Sequence, residues 1–273
     1  MSHIDKSLLG QSTAYVTHYA PELLYPVPRA ESRAHLGIGD KLPFKGVDIW
    51  TAYELSWLDH RGKPWVAWGE FHIPIDSPNI IESKSFKLYL NSFNQTPLAG
   101  RDELANRLVR DLSAAAGAPV AVQLFSLEQT GPGIQGVWQG ECLDELPISV
   151  EAYTPQPSFL RVKDEEDVNE TLYSHLLKSN CPVTGQPDWA TVRIDYRGQP
   201  IDHEGLLKYI VSFREHQDFH EHCVERMFTD IMARCEPEAL SVYARYTRRG
   251  GLDINPWRST GKGLPSAVRL VRQ

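Results

Sequence analysis

Cys181 stands in Ser179-Asn180-Cys181-Pro182-Val183-Thr184-Gly185-Gln186-Pro187-Asp188-Trp189, a stretch whose Pro, Gly and Asn content marks a loop rather than a packed core. A thiol in a loop can act as a nucleophile, and Asp188, seven residues on, can reach the same pocket to give or take a proton. The competing reading is a buried structural thiol. One feature favours it: Val168, Leu172 and Leu176 read as an amphipathic helix ending just before Cys181, and a helix C-terminus disfavours a thiolate. Phe219-His220-Glu221-His222-Cys223 reads as a helix opening, where the dipole favours a carboxylate and an imidazole can face a cleft. A metal site built from Cys181, His220 or His222 and Cys223 is disfavoured, because adjacent helical residues diverge by about 100°. No metal is expected. Glu82-Ser83-Lys84-Ser85 opens another helix, either as a site carboxylate beside a cation or as an acidic helix start with a solvated lysine.

These segments need elements to hold them. Residues 1–45 contain the Pro-broken stretch Pro21 to Pro28 and no sustained periodicity, so an irregular arm on the first domain is expected. The runs 47–58 and 64–74, separated by Asp59-His60-Arg61-Gly62, read as a hairpin. Phe86, Tyr89, Leu90 and Phe93 fall at helical spacing, as do Leu104, Leu108 and Leu112, and Val120 to Leu127 returns to strand. Adding 120 carries Phe86, Tyr89, Leu90, Ser92 and Phe93 onto Leu206, Tyr209, Ile210, Ser212 and Phe213. The register continues into a second helix with Val224, Met227, Phe228 and Ile231 and a strand over 239–247. The repeat predicts an α+β fold of two related modules, 46–155 and 156–273, each with antiparallel strands and a pair of helices on one face. Pro155 to Asp167 reads as the linker, with solvated charges at Lys163 to Asp167.

Composition narrows the classes. The chain has 273 residues, 41% hydrophobic and 23% charged, which are ordinary globular values. The net charge of −7 is the wrong sign for a general nucleic-acid surface and points to a small-molecule ligand. No apolar run has membrane length, no targeting segment is visible, and Cys142, Cys181, Cys223 and Cys235 form no C-x-x-C pair, so free thiols in a cytoplasmic protein are expected. Gly131-Pro132-Gly133-Ile134-Gln135-Gly136 spells G-x-G-x-x-G, but no helix signal follows at Val137-Trp138-Gln139-Gly140. A glycine-rich turn is expected there rather than a dinucleotide fingerprint.

Taken together, Glu82 to Tyr89, Cys181 to Trp189, Asp218-Phe219-His220-Glu221 and Arg248-Arg249-Gly250-Gly251-Leu252-Asp253-Ile254-Asn255-Pro256 resemble the NADPH-dependent 7-cyano-7-deazaguanine reductases, the nitrile reductases of queuosine biosynthesis, a tRNA modification. The resemblance runs from about residue 45 onward and follows the order of the two-domain long form. It implies tandem tunnelling-fold modules, as in GTP cyclohydrolase I, and a homodimer. It departs from the compact one-module form. The Glu-Ser-Lys-Ser motif occurs only in the first repeat, where the second has Asp202-His203-Glu204-Gly205, and the cysteine segment occurs only in the second. Neither repeat makes a complete site, so a pocket between repeats or across subunits is expected.

The resemblance implies roles residue by residue. Cys181 becomes the nucleophile of a covalent thioimide and Asp188 the proton donor. Ile81, Glu82, Ser83, Phe219, His220 and Glu221 contact the deazapurine, whose adjacent ring N–H and amine donors suit a carboxylate. Ser83, Lys84, Arg249 and Gly250 hold NADPH, with cations for phosphate and glycine for close backbone approach. Two other readings stand beside this one: a cyclohydrolase-like enzyme of the same fold, disfavoured by the cysteine spacing, and a non-catalytic purine- or pterin-binding module, in which Cys181 and Asp188 would have no task.

Overall fold

The computed structural model describes residues 16–128 and 136–273; most of the glycine-rich run at 131–136 therefore lies outside the described residues. Its elements are β1 (Pro26–Pro28), α1 (Arg29–His35), β2 (Lys45–Leu58), β3 (Pro64–Pro74), β4 (Asn79–Ile81), α2 (Ser83–Asn91), α3 (Arg101–Ala116), β5 (Ala121–Phe125), β6 (Glu141–Cys142), β7 (Val168–Asn180), β8 (Pro187–Gly198), α4 (His203–Val211), α5 (His220–Cys235), β9 (Ala239–Tyr246) and β10 (Leu252–Ser259). The chain divides into two compact units. The first takes the described part of Met1–Ser32 and of Asp48–Pro132, with Arg248–Ile254; the second takes Arg33–Val47, the described part of Gly133–Thr247, and Asn255–Gln273.

In the first unit the strands run in the order β5, β3, β2, with β3 and β5 antiparallel. The core lies between this sheet and the helices: Trp50, Phe71, Ile73, Phe86, Tyr89, Phe93, Leu104, Leu108 and Leu112 are buried in one cluster. The apolar stripes read from the sequence are thus the faces that α2 and α3 bury. In the second unit the order is β9, β8, β7, β6, antiparallel except for the short parallel pairing of β6 on β7. Val224, Met227, Phe228 and Ile231 of α5 and Leu206, Tyr209 and Ile210 of α4 are fully buried in its core.

The repeat extends to hydrogen bonds. Ser92 and Ser212 end α2 and α4, and each hydroxyl donates to the carbonyl of the preceding tyrosine, Tyr89 or Tyr209, at 2.6 Å. The same tyrosines donate their phenol hydrogens to Asp111 at 2.7 Å and Asp230 at 2.6 Å, which ties the two helices of each unit together. A buried phenol needs such a partner, and the carboxylate holds its proton in place: Tyr89 and Tyr209 are both raised well above the ordinary phenol value, by burial first and by the aspartate second.

The structure departs from the sequence expectations in four places. Residues 16–45 are not wholly irregular: β1 pairs antiparallel with β4 through Pro26–Ile81 and Pro28–Asn79, and Arg29–His35 is helical. Proline suits this two-stranded ribbon because it sits where no ladder N–H is required. Val168 to Asn180 is a strand, not a helix. A spacing of four fits either period, and Val-Asn-Glu-Thr-Leu-Tyr-Ser alternates as a half-buried strand does. A β-bulge between Ser174 and Leu177 then shifts the inward phase from Leu172 and Ser174 to Leu177 and Ser179, leaving Leu176 exposed. The units also differ in extent from 46–155 and 156–273. Arg33 pairs with the buried Glu225 at 2.7 Å and β6 pairs with β7, so Arg33–Val47 and residues 136–155 pack with the second unit, while Arg248–Ile254 packs with the first. The linker is packed as well, since Leu160 is buried and a Cβ at Gly205 would stand 2.3 Å from the Phe159 carbonyl oxygen. Its charges at 163–167 are exposed, as expected.

Candidate active site

β7 and β8 pair up to Ser179–Asp188 and Asn180–Pro187, so Cys181 opens the turn 181–186 that joins them. Its N–H donates to the Gln186 carbonyl at 2.9 Å, its carbonyl accepts from Gly185 N–H at 3.0 Å, and Gly185 takes the left-handed φ of +67° that this turn needs. The thiol is half-buried. Because a strand precedes it, the opposing helix dipole expected from the sequence is absent. Asn180 N–H donates to the His216 carbonyl at 2.8 Å and Asp218 N–H to the Asn180 carbonyl at 3.2 Å, so the segment leading into α5 is stitched beside the cysteine turn.

That stitching places His220, the first residue of α5, against Asp188: Nε2 lies 3.3 Å from Oδ2, and Asp188 is 4% exposed. Tyr246 completes the group. Ala190 on β8 faces Tyr246 on β9, Asp188 shares the face of Ala190, and the His220 and Tyr246 rings stack with centroids 3.6 Å apart. Glu221 is 2% exposed in the first turn of α5. Asp218, just before the helix, accepts from Phe219 N–H at 2.8 Å and pairs with His222 Nδ1 at 3.0 Å. Burial works to raise the Asp218 carboxyl, but hydrogen bonds from His216, His222 and Phe219 N–H outweigh it and hold the group well below the ordinary carboxylate range. Phe219 is half-buried and meets the His222 ring edge to face.

The remaining sequence candidates stand in the first unit. Glu82 is the N-cap of α2, fully buried, accepting from Lys84 N–H at 2.7 Å and Ser85 N–H at 2.8 Å. Burial raises its carboxyl despite those two donors. The acidic-helix-start reading is therefore realised, and the carboxylate keeps lone pairs beyond the two capping bonds. Ile81 is buried on β4, and the Ser83 hydroxyl lies 3.5 Å from Glu82 Oε1. Arg249 and Leu252 exchange hydrogen bonds around Gly250 and Gly251, whose φ values of +58° and +73° make a two-residue hairpin turn of the kind only glycine enters readily. A Cβ on Gly250 would stand 3.3 Å from Lys87 Cδ. Lys84 and Lys87 lie one turn apart on α2, so this corner gathers lysines and an Arg-Gly-Gly backbone, a donor set that fits a dinucleotide phosphate.

Tyr246 and His216 were missed from the sequence, and Lys87 and Asp218 stood inside the quoted motifs without being given a role. For Lys87 the signal was present in its spacing of three from Lys84. Nothing in the spacing announces the Tyr246 stack, which depends on strand register.

Residues 15–124 match the family model described as nitrile reductase, 7-cyano-7-deazaguanine-reductase N-term, and residues 187–264 match the model described as QueF-like protein. The NADPH-dependent 7-cyano-7-deazaguanine reductase of Bordetella pertussis is 59% identical over 99% of this chain and 99% of its own. That of Dechloromonas aromatica is 60% identical over 98% and 95%, and that of Chromohalobacter salexigens 57% over 100% of both. A solved structure, the apo form of an archaeosine synthase QueF-Like, covers 38% of this chain and 100% of its own at 22% identity with a TM-score of 0.31, too slight a likeness to argue from. With relatives this similar over their whole length, the chain belongs to the family of NADPH-dependent 7-cyano-7-deazaguanine reductases.

Proposed function

We propose that this protein reduces the nitrile of 7-cyano-7-deazaguanine to the primary amine of 7-aminomethyl-7-deazaguanine, using NADPH, with Cys181 as nucleophile and Asp188 as proton donor. A nitrile carbon accepts hydride poorly until a nucleophile has turned it into a protonatable C=N group. The Cys181 thiol gives its proton to solvent, the thiolate adds to that carbon, the C–S bond forms as one C–N π bond opens, and the nitrogen takes a proton from the Asp188 carboxyl to give a thioimide. Two successive NADPH molecules would each supply one hydride: after the first reaches the thioimide carbon the C–S bond breaks, returning the Cys181 thiolate and leaving an imine, and the second would take the imine carbon to the amine. His220 Nε2, 3.3 Å from Asp188 Oδ2, is placed to return the proton that Asp188 gives.

The observation that carries this reading is the Asp188–His220–Tyr246 group at the end of the strand pair that the Cys181 turn joins: a buried carboxyl paired with an imidazole, at the start of the strand into which the turn opened by the half-buried Cys181 leads. Glu82 and Glu221, both buried, are proposed to bind the guanine-like donors, with Ile81, Ser83 and Phe219 around the ring. Lys84, Arg249 and Gly250, with Ser83, are proposed for NADPH. The proposal extends to a cytoplasmic homodimer acting on the free base and not on nucleic acid. The net charge of −7 supports the last point, and among the described residues no helix is long and apolar enough to cross a membrane.

Intact-mass measurement tests the reading. Mixed with the nitrile in the absence of NADPH, the protein should gain the mass of one substrate, and Cys181→Ala should gain none. An equal adduct on Cys181→Ala, or none on the parent, would remove Cys181 from the mechanism.

A further inference from the structure

Outside this site, one sulfur, one nitrogen and one oxygen ligand converge on the β6–β7 edge of the second unit. Cys142, Asp144 and His175 each offer one ligand atom, and the three lie within 4.8 Å of one another. We infer that they form a site for one zinc ion.

The convergence is built by the backbone. Cys142 ends β6, where it pairs in parallel with Tyr173, and His175 lies in the β7 bulge between Ser174 and Leu177. A bulged residue leaves its ladder partner, and its N–H needs another acceptor. Asp144 supplies one: His175 N–H lies 3.2 Å from Oδ1 and 3.1 Å from Oδ2, and the Ser174 hydroxyl donates to Oδ1 at 2.6 Å. The bulge therefore fixes the carboxylate beside the imidazole and re-aims the histidine out of the strand's alternation.

The outer partners suit a metal ligand. Thr191 Oγ1 lies 2.9 Å from His175 Nδ1, and Arg272 donates to the same hydroxyl at 3.3 Å and to the His175 carbonyl at 2.8 Å. A ligating histidine characteristically has such a second contact, which orients the ring and selects its tautomer. The mixed S, N and O set points to zinc, which takes all three at about 2.0–2.3 Å in a tetrahedron, rather than to calcium or magnesium, which take oxygen. Tetrahedral ligands stand roughly 3.3–3.8 Å apart at those bond lengths, so the cluster closes by a small side-chain adjustment. Water takes the fourth position. The Cys142 thiol proton would leave to solvent as the Zn–S bond forms.

The gain is mechanical. β6 is only two residues long, and the ion would pin residues 142–144 to the bulge of β7. None of these groups takes part in the chemistry proposed above, so the inference stands apart from that reading.

The full-length protein, stripped with a chelator, exchanged into zinc and desalted, should retain one zinc per chain by elemental analysis and unfold at a higher temperature than the stripped form. Cobalt in place of zinc should give a thiolate-to-metal absorption band. Both signals should disappear in Cys142→Ser and in His175→Ala and persist in Cys181→Ser. Parent protein that retains no zinc overturns the inference whatever the variants do. So does zinc that persists in folded Cys142→Ser or disappears in folded Cys181→Ser.

Discussion

The imidazole of His220 lies flat on the phenol ring of Tyr246, with centroids 3.6 Å apart and planes 2° from parallel. Strand register makes the contact: Tyr246 opposes Ala190, two residues from Asp188 on the same face, so the ring that supports His220 also sets its distance from the Asp188 carboxyl. Stacking of this kind is worth about 0.5–1.5 kcal/mol. Tyr246→Phe keeps the stack and should keep turnover near the parent rate. Tyr246→Leu frees the imidazole and should lower turnover by up to about tenfold at matched folded concentration, by the conversion of about 1.4 kcal/mol per decade. Equal turnover in the two variants would show that the stack does not position His220.

Asp188→Asn separates proton transfer from packing. The amide keeps the size but has no transferable proton, so a general-acid role predicts a loss of turnover of about 10²–10⁴-fold with the fold intact. Thioimide formation should be followed beside NADPH oxidation. Loss of both is the outcome expected if Asp188 gives the proton that completes the thioimide, whereas normal adduct with slow reduction would place its proton transfer after the thioimide has formed. Parent-like rates in both assays would eliminate it as a catalytic residue.

How much of this was legible in the sequence depends on the distance over which each signal acts. The repeat was legible because its marks are local: Tyr-x-x-Ser-Phe at 89–93 and 209–213 encodes a helix end, and both copies form the same serine cap. Helix openings at Glu82, Asp202 and Phe219 were legible for the same reason. β7 was not, since four-residue spacing satisfies both periods and a bulge interrupts the alternation that would have decided between them. The carboxylates of Glu82, Asp188 and Glu221 stood out by type and neighbourhood. Tyr246, and the grouping of Cys142 and Asp144 with His175, exist only through pairings between segments far apart in the chain, which no local pattern carries.

Asp218 gives a prediction on the acid side. Its carboxyl is held below the ordinary value of 3.8 in the folded protein by His216, His222 and Phe219 N–H, against the opposing effect of burial. A depressed folded value means a stabilisation present above pH 3.8 and lost as pH falls from there toward the folded value. Asp218→Asn should therefore unfold at lower denaturant concentration than the parent at neutral pH, with the gap narrowing in acid. A gap of constant size across that range would mean that the charge of Asp218 does not anchor the start of α5.

Glu82 and Glu221 are both buried carboxylates at helix starts, yet they should respond differently to Gln. Either change puts an amide donor where a ligand donor would point, and a lost charged hydrogen bond costs about 1.5–3 kcal/mol. Nitrile affinity should fall by about tenfold or more in both, while NADPH affinity stays near parent. Only Glu82 also caps a helix with both oxygens, so Glu82→Gln should in addition lose about 0.5–2 kcal/mol of stability. That loss should depend on pH. Burial raises the Glu82 carboxyl above its ordinary 4.5 in the folded state, so the parent loses stability as pH rises from there through the folded value. Gln carries no such penalty, and the deficit of Glu82→Gln should be larger near pH 4.5 than at neutral pH. Calorimetric titration with the nitrile and denaturant unfolding at the two pH values read the two roles separately. Unchanged nitrile binding in both variants would take the pair out of the substrate site and leave Glu82 as a helix cap alone.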